Sequence, residues 1–488
     1  MQKSIHYRNK RKGTFCLRFK SHRLNKSASG VILLMLLPIV ACNKFVDVPS
    51  PVNKIAAQEL FKDDANATSA VTGIYGQMAN LVQNIANGSI TSLTGITSDE
   101  LNYINNAAAI KEFQTNSIST NNSTNVGDFW APAYKYIYQA NASLEGIAAS
   151  TGISLKTKNQ LEGECRVVRS LIYFYLIQLY GDVPLITTTN FNTNTVQRRN
   201  STPEIYDFII NDLIEAKQDL AETYPTTGRL RPNLYTAEAL LSRVYLYTGQ
   251  WGKAETEANN VIKSAQYSLQ TDLTKIFLSG SNEAIWQIAA SIDGLNTREG
   301  VLFVNSNANA IPNYLISDAL MNGFEANDPR KTAWIGTKTI SNKIYYFPYK
   351  YKLPMSSTST AKENYVMFRL AEQYLIRSEA KIRQGKTDEG VKDLNIIRGR
   401  ARGNNSTILP DQPMGATQQQ ALSYVIKERR IELMTEWGNR WLDLKRFHLC
   451  TATLQPIKPG WQDTDTLFPI PLQQILINKN LTQNSGYN

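Results

Sequence analysis

The sequence predicts a mainly α-helical fold in which tetratricopeptide-like helical hairpins pack with an irregular, loop-rich part containing short strands. Three observations lead to this prediction. Apolar residues recur at helical spacing over residues 161–180. Two later segments have the same spacing of small and large residues around a glycine. Helical periodicity is scarce between residues 270 and 365, so irregular structure is expected there.

The N-terminal segment has the parts of a bacterial lipoprotein signal. A basic stretch without acidic residues precedes an apolar run of 11 residues, 31–41, which ends at Cys42. This run is too short to span a bilayer, which needs about 20 residues. Residues 39–42 (IVAC) resemble the lipobox, whose cysteine is acylated, palmitate being one of the acyl groups. We therefore expect a signal peptide over 1–41 and a lipidated tether over 42–55, with an ordinary signal peptide and a chance cysteine as the alternative.

Removal of that segment changes how the composition is interpreted. The segment holds nine Lys or Arg, so cleavage lowers the formal net charge from +11 to +2 and weakens any case for a nucleic-acid partner. Cys165 and Cys450 are too far apart in sequence to form a metal-ligand spacing. A disulfide between them is one alternative. Because Cys165 belongs to an apolar helical stripe, we favour a buried free thiol.

The first half of the mature chain is predicted to be helical with two polar interruptions. Gly181 ends the most amphipathic helix, and residues 183–186 leave it as an extended segment. Stretches rich in Asn and Thr at 114–127 and 187–202 bury too little apolar area to form a core, so we predict surface loops. The predicted helices span residues 56–81, 130–147 and 161–180.

Two later segments, 234–264 and 368–400, look like copies of one helical hairpin. Each has a helix, a glycine at the turn (Gly249 or Gly385) and a return helix with small residues that allow close approach. This arrangement is typical of a tetratricopeptide-like hairpin. Two unrelated helical hairpins are the alternative.

The segment between these hairpins, residues 270–365, is expected to contain loops and short strands. Residues 284–288 and 345–351 are the strand candidates, because both are apolar or aromatic and extended in character. Helices resume at 419–435 and 437–447, and a coil-rich tail closes the chain.

Several segments, taken in order, resemble the SusD/RagB family of outer-membrane nutrient-binding lipoproteins. Together they extend over nearly the whole mature chain, and the ordered set is what makes the resemblance specific. The matching segments are 169–185 (RSLIYFYLIQLYGDVPL), 202–210 (TPEIYDFII), 231–241 (RPNLYTAEALL), 428–433 (ERRIEL) with 438–446 (GNRWLDLKR), and 468–471 (FPIP) with 484–488 (NSGYN).

The resemblance implies a single SusD-like domain over residues 56–488. Its helical segments would lie at about 56–265 and 366–447 and would include four tetratricopeptide-like hairpins. The loop-rich segment at about 270–365 would carry the ligand site. The resemblance also implies a lipid-anchored protein on the cell surface that acts as a lid over a SusC-like TonB-dependent transporter. The family captures glycans or other nutrients and is not catalytic.

Residue types needed for common catalytic devices are scarce. The sequence has no glycine-rich phosphate loop, no nucleophile elbow and no metal-spaced group of Cys and His, so we expect no catalytic residue, metal or cofactor. The pair Asp99-Glu100 is the strongest candidate for a glycosidase carboxylate pair. Because adjacent residues point in different directions, we favour a structural or turn-capping role for Asp99.

Sugar binding requires flat aromatic rings and side-chain amides, because rings pack on the C–H face of a pyranose and amides satisfy its hydroxyls. From their place in loops we nominate Asn102, Tyr103, Tyr314 and Trp334 as ligand-binding residues. For each of them the alternative is a role in stabilising its own loop. Five other tryptophans are assigned to the core or to helix packing: Trp130, Trp251, Trp286, Trp437 and Trp441.

The leading hypothesis is a surface-exposed lipoprotein that captures oligosaccharide and delivers it to a SusC-like transporter. A lipid-anchored glycoside hydrolase that uses two carboxylates is the second hypothesis. A protein-binding scaffold is the third, since tetratricopeptide-like helices usually bind partner proteins. In this family such helices are expected to face the transporter, so the third hypothesis partly merges with the first.

Overall fold

Helices form about half of the residues that the structure describes, in agreement with the predicted mainly α-helical fold. The computed structural model describes residues 57–80, 82–290, 296–354 and 362–487, which belong to one compact unit, Ile55–Asn488. In chain order the α-helices are α1 (Ala57–Leu60), α2 (Asp64–Met78), α3 (Ser89–Thr97), α4 (Ala108–Thr115), α5 (Ala131–Ala149), α6 (Leu155–Tyr180), α7 (Phe191–Asn194), α8 (Thr202–Asp219), α9 (Leu234–Tyr247), α10 (Trp251–Lys263), α11 (Arg298–Phe303), α12 (Asp318–Met321), α13 (Pro329–Trp334), α14 (Leu370–Arg383), α15 (Thr387–Arg402), α16 (Gln418–Glu432), α17 (Asn439–Arg446), α18 (Cys450–Leu454) and α19 (Leu472–Ile477).

The strands are short, which agrees with the predicted fold class. They are β1 (Leu101–Tyr103), β2 (Val183–Pro184), β3 (Arg199–Asn200), β4 (Ala284–Ile288), β5 (Tyr314–Ile316), β6 (Ile335–Ile340), β7 (Lys343–Pro348) and β8 (Tyr365–Arg369). Each pairs antiparallel with one partner: β1 with β5, β2 with β3, β4 with β8 and β6 with β7. The strand predicted at 284–288 is β4, and the one predicted at 345–351 overlaps β7.

Helix α6 passes through the centre of the hydrophobic core, with α5 and α8 packed against it. Its first turn is capped by Ser154, whose side chain accepts a hydrogen bond from the Thr157 backbone N (3.4 Å). Gly181 ends the helix with a φ of +69°, a conformation that side chains disfavour. Cys165 and Cys450 are buried and unpaired, which confirms the predicted free thiol.

The two predicted hairpins are α9–α10 and α14–α15. Gly249 and Gly385 occupy their turns with φ of +72° and +82°, the left-handed region that favours glycine. In the return helix α15, a Cβ on Gly390 would come within 2.6 Å of the Ser378 carbonyl oxygen, so only glycine permits this helix spacing. Helix α10 also packs against α14, so the two hairpins stack on each other.

A buried network of charged residues joins the loop-rich segment to α16. Glu432 accepts hydrogen bonds from Nη1 of Arg369 (2.7 Å) and Nη1 of Arg330 (3.1 Å), and it also pairs with Arg400. All four side chains are buried. Burial alone would raise the pKa of Glu432, but the three guanidinium charges lower that pKa well below its usual range. The network therefore fixes α13 and the end of β8 against α16.

The prediction of a surface loop over residues 114–127 is wrong in part. The segment includes the end of α4 and the start of a π-helical turn, Asn125–Trp130, and Asn122 and Asn125 are buried. Asn122 Nδ2 donates to the Ala109 carbonyl oxygen (2.8 Å), and Asn125 Nδ2 donates to that of Pro469 (2.9 Å). Polar side chains are buried here because the amides satisfy backbone carbonyl groups.

The helix predicted over residues 56–81 is broken into α1 and α2. The Asp63 side chain accepts a hydrogen bond from the Asn66 backbone N (2.9 Å) and so starts a new helix. The predicted signal peptide, the tether and Cys42 lie outside the described residues. Within the part of the chain that the structure describes, no helix is long and apolar enough to cross a bilayer.

Candidate functional site

Three of the four nominated residues come together on the β1–β5 sheet. Tyr103 lies directly opposite Tyr314 in the antiparallel register, and the centroids of their rings are 5.1 Å apart. Asn102 lies opposite Leu315 and is exposed. The sheet thus joins two loops that are far apart in sequence.

The two tyrosine rings support the loops from below and do not form an exposed platform. Tyr103 and Tyr314 are only 6% and 2% exposed. Phe303 packs edge-on against Tyr314 with a centroid distance of 5.7 Å. Lys111 Nζ donates to the Tyr103 carbonyl oxygen (2.6 Å) and lies 5.6 Å from the ring centroid. Burial raises the pKa of Tyr314 well above its usual value, so its hydroxyl stays neutral.

Asparagine side chains extend the β1–β5 connection beyond the strands. Asn105 Nδ2 donates to Asn313 Oδ1 (2.8 Å). The Ile104 backbone N donates to the Asn313 carbonyl oxygen (3.1 Å). The segment that follows β1 is therefore held against the segment that precedes β5.

Lys338 on β6 ties a third element to these two. Its Nζ donates to the carbonyl oxygen of Asn305 (3.4 Å) and to that of Asn307. Strand β7 also packs against β5. The three elements form one continuous surface, here called the loop-side surface, which comprises residues 102–105, 304–313 and 335–348.

Side-chain amides are presented on the loop-side surface in fixed directions. Asn305 Oδ1 accepts a hydrogen bond from the Asn307 backbone N (2.9 Å), and Asn307 Oδ1 accepts one from the Asn309 backbone N (2.9 Å). Two consecutive Asx turns therefore orient these side chains. Asn307 and Asn309 are exposed, and their Nδ2 groups donate to no acceptor among the described residues. These amides remain available as hydrogen-bond donors.

The β6–β7 hairpin carries aromatic residues on both faces: Tyr345 shares a face with Lys338, and Tyr346 lies on the other face. Tyr346 is 40% exposed, Tyr345 is half-buried, and Ile344 beside them is 51% exposed. Phe347 packs over Gly336 on the paired strand, where a Cβ would come within 2.4 Å of the ring. Because that contact fixes the hairpin, the exposed tyrosine ring is held on a rigid element.

A cavity of about 360 Å³ with both polar and apolar lining residues lies on the Asn102 side of β1. Lys458 at its wall donates through Nζ to the Ile96 carbonyl oxygen (2.7 Å) and to Asn116 Oδ1 (2.6 Å). Burial lowers the pKa of Lys458 to about 7. Hydroxyl and amide side chains supply half of the rest of the lining, and the other half consists of Asp99, Gly460 and four apolar residues. The hydroxyl and amide residues are Ser98, Asn102, Gln114, Thr115, Ser117 and Ser317, and the apolar ones are Ile96, Leu101, Ile457 and Pro459.

The Asp99 carboxylate is fully engaged in ion pairs. Its Oδ1 accepts from Arg440 Nε (2.6 Å), and its Oδ2 accepts from Arg440 Nη2 (2.9 Å) and Arg430 Nη2 (2.7 Å). Asp99 therefore joins the start of β1 to helices α16 and α17, and this is the structural one of the two roles predicted for it. Among the described residues, no group of three or more His, Cys, Asp or Glu is placed to hold a metal ion.

Trp334, the fourth nominated residue, lies in the core. Its side chain is fully buried, Nε1 donates to the Leu273 carbonyl oxygen (3.0 Å), and Lys350 Nζ lies 4.3 Å from a ring centroid. A sugar has no access to this ring, so the nomination does not fit the structure. Arg330 of the same helix, α13, pairs with the buried Glu432, so α13 packs against the core. The sequence around Trp334 did not reveal that this ring would be buried. Trp286 and Trp441 are buried as predicted.

Sequence reasoning did not single out the amides of residues 304–313 or the tyrosines of β7. The signal was present in the run VNSNANAIPN at 304–313, in which asparagine recurs at every second residue over its first half. The strand nature of β7 was predicted, but which of its tyrosines faces solvent depends on pairing with β6.

Two family models match the chain. The model described as "Starch-binding associating with outer membrane" matches residues 44–246, and a model of the SusD family matches residues 319–487. The chain is 26% identical over 510 residues to SusD-like protein P2 of Formosa agariphila, covering 93% of this chain and 98% of the relative. It is 26% identical over 416 residues to the starch-binding protein SusD of Bacteroides thetaiotaomicron, covering 66% and 72%.

Solved structures have the same fold. A SusD superfamily protein from Bacteroides vulgatus matches with a TM-score of 0.76 and 21% identity, covering 88% of this chain and 100% of that one. Surface glycan-binding protein A from Bacteroides thetaiotaomicron, in complex with laminarihexaose, matches with a TM-score of 0.70 and 18% identity, covering 86% and 99%. These likenesses confirm the predicted fold class.

Proposed function

Because the chain belongs to the SusD/RagB family, we propose that it is a binding protein of the outer membrane that captures an oligosaccharide. The relatives support this class of ligand, since one is named for starch binding and one neighbour was solved with laminarihexaose. The single observation that carries the proposal is the loop-side surface, which has exposed amides and an exposed tyrosine. The elements that bear them are held in place by the Tyr103–Tyr314 contact, the Asn105–Asn313 hydrogen bond and the packing of Phe347 on Gly336.

The chemistry of that surface suits a sugar. Sugar hydroxyl groups can accept hydrogen bonds from the free Nδ2 groups of Asn307 and Asn309 and can bond to Asn102, which is exposed and lines the cavity beside β1. The exposed ring of Tyr346 offers an apolar face for the C–H side of a pyranose. Tyr103 and Tyr314 support the amide-bearing loops, so less ordering is required when a ligand binds.

Delivery to a SusC-like TonB-dependent transporter is part of the proposal. A lid over a transporter needs to stay at the membrane, and acylation of Cys42 would provide that tether. The proposed location is therefore the outer face of the outer membrane, with the lipid as anchor. Copurification of the native protein with an outer-membrane barrel tests the partnership.

We do not propose a catalytic role, because the strongest candidate carboxylate, Asp99, is paired with two arginines. Both oxygens of Asp99 are occupied by Arg440 and Arg430. A glycosidase that works through two carboxylates needs both of them free to protonate or attack at the glycosidic bond, and Asp99 is not free to do either. Release of nitrophenol from chromogenic glycosides, abolished by Asp99→Asn, would contradict this view.

Isothermal titration calorimetry against a panel of oligosaccharides tests glycan capture. The panel contains laminarihexaose, maltohexaose and xylohexaose. We expect at least one of them to bind, and we expect Tyr346→Ala and Asn307→Ala each to weaken that binding by about tenfold. Tyr346→Phe, which keeps the ring, and Ile344→Ala, which removes an exposed neighbour, are the matched controls and should bind like wild type. Absence of binding to any oligosaccharide would reject the proposal.

A further inference from the structure

A second concave site lies where the start of α5, the segment after β2, helix α7 and helix α19 meet. It is a groove of about 330 Å³. None of its lining residues belongs to the loop-side surface, and none carries a charge. The lining side chains used below are Trp130, Tyr134, Tyr138, Asn194, Gln474 and Asn478.

Three aromatic residues follow one face of the helix that forms the groove wall. Trp130, Tyr134 and Tyr138 are spaced four residues apart, which places them one above another. The rings of Trp130 and Tyr134 have centroids 5.0 Å apart, and the Tyr134 hydroxyl donates to the Pro184 carbonyl oxygen (3.0 Å). Tyr138 is 52% exposed at the outer end. The wall is therefore a fixed aromatic surface open to solvent at one end.

One donor on this wall has no partner among the described residues. Trp130 is only 3% exposed, yet its Nε1–H donates to no acceptor within the described residues. Its Nε1 is not among the side-chain atoms that are both buried and unpaired, so this N–H is open to solvent although most of the residue is covered. Trp130 therefore offers a hydrogen bond that this chain does not itself satisfy.

The opposite wall supplies oriented amides. Asn194 Nδ2 donates to the Thr188 carbonyl oxygen (2.7 Å), and Asn478 Nδ2 donates to that of Gln197 (2.7 Å). These bonds fix the direction of both side chains. The Gln474 amide makes no hydrogen bond to any residue that the structure describes, so both its donor and its acceptor are free.

We propose that this groove is a second glycan-binding site, which takes a sugar residue of a neutral oligosaccharide. The aromatic wall would pack on the C–H face of a pyranose, and the indole N–H and the Gln474 amide would bond to its hydroxyls. The uncharged lining favours a neutral ligand over an acidic one. A purely apolar protein partner would leave the Trp130 donor and the Gln474 amide unpaired, which favours a sugar. The inference rests on the proposed function.

The test counts sites on the full mature protein. A glycan array of neutral oligosaccharides, including laminarihexaose, maltohexaose and xylohexaose, first identifies the tightest ligand, and calorimetry then gives its stoichiometry. We expect two sites in wild type, of which Tyr138→Ala weakens one and Tyr346→Ala weakens the other, each by about tenfold. Phe191→Ala removes an exposed ring of α7 outside the lining and should leave two. Trp130→Phe keeps an aromatic ring but removes the N–H, and it should weaken the groove site by about tenfold.

The outcomes separate the two proposals. A single site that Tyr346→Ala weakens and Tyr138→Ala leaves unchanged overturns the groove while glycan capture at the loop-side surface stands. A single site that behaves in the opposite way supports the groove and rejects the loop-side surface. Binding to no neutral glycan overturns both. If Tyr138→Ala changes no glycan signal but reduces copurification with an outer-membrane barrel, the groove is a protein-docking surface and the glycan inference is wrong.

Discussion

Tyr103 and Tyr314 lie opposite each other on β1 and β5, with ring centroids 5.1 Å apart, although they belong to distant parts of the sequence. Both rings are buried. The pair packs beneath the loop-side surface. A hydrogen bond between the Asn105 and Asn313 side chains also joins the segment after β1 to the segment before β5. The stiffness of the proposed ligand surface therefore depends on a contact that no ligand touches.

Replacing one member of that pair should reduce both stability and glycan affinity. Tyr314→Ala removes a buried aromatic side chain, and losses of this kind cost about 3–5 kcal/mol of unfolding free energy. Urea denaturation measures the loss, and calorimetry measures the effect on binding. Leu315→Ala, on the opposite face of the same strand, is the control and should cost less. Equal stability losses in the two variants would contradict the supporting role of Tyr314.

Trp334 in the core and Tyr346 on the loop-side surface should behave in opposite ways when replaced. Trp334→Ala should lower the free energy of unfolding by about 3–5 kcal/mol, because a fully buried ring is lost. Tyr346→Ala should leave stability nearly unchanged and weaken glycan binding. Denaturation and calorimetry on both variants provide the comparison. A Trp334→Ala protein of normal stability and impaired binding would restore Trp334 as a ligand residue.

Asp99→Asn should lower the free energy of unfolding, because Asp99 has a structural role. The substitution leaves Arg440, which is buried, without its carboxylate, and breaking one side of a buried ion pair costs about 3–5 kcal/mol. Arg430→Gln should cost less, because the Arg430 side chain is 20% exposed and Asp99 keeps its pair with Arg440. The midpoints of urea unfolding rank the two variants. A larger loss of stability in Arg430→Gln than in Asp99→Asn would mean that Arg440 is not the more important partner of Asp99.

Glu299 should make the protein less stable as the pH rises. The Tyr365 hydroxyl donates to Glu299 Oε1 (3.1 Å) in the core, and burial raises the pKa of Glu299 from 4.5 to about 8. Between these values the folded state retains a proton that the unfolded state has lost. The stabilising contribution is therefore complete below about pH 4.5 and is lost as the pH rises through about 8.

Glu299→Gln replaces that carboxyl with a group that stays neutral at every pH. Denaturant unfolding at several pH values between about 5 and 8 should show the variant gaining stability relative to wild type as the pH rises. Other buried carboxyls contribute equally to both proteins, so the difference isolates Glu299. Parallel stability curves for the two proteins would show that Glu299 is already ionised when folded.

Cys42→Ala should release the protein from membranes. The acyl chains proposed for this residue are the only anchor predicted from the sequence, and removing their attachment point removes the hydrophobic contribution of the lipid. Cell fractionation followed by immunoblotting compares wild type with Cys42→Ser and Cys42→Ala. Cys16→Ala, which alters a cysteine within the predicted signal peptide, is the control and should remain with membranes. Variants of Cys42 that still sediment with membranes would refute the anchor.

Local sequence determined most of the long helices and the positions where the two hairpins turn. The apolar stripe of α6, the glycines at 249 and 385 and the strand at 284–288 follow from periodicity and backbone preference, which act over a few neighbouring residues. Family membership followed from ordered segments along the whole chain. These features required no knowledge of long-range contacts.

The tertiary structure alone decided which side chains reach solvent. We nominated Tyr103, Tyr314 and Trp334 from their loop positions, yet all three are buried. Pairing of β1 with β5 buries the two tyrosines, and the arginine–glutamate network holds the helix that bears Trp334 against the core. Asn307 and Tyr346 face outward because of Asx turns and of the pairing of β6 with β7. Exposure depends on contacts between residues distant in sequence, and neither periodicity nor composition records those contacts.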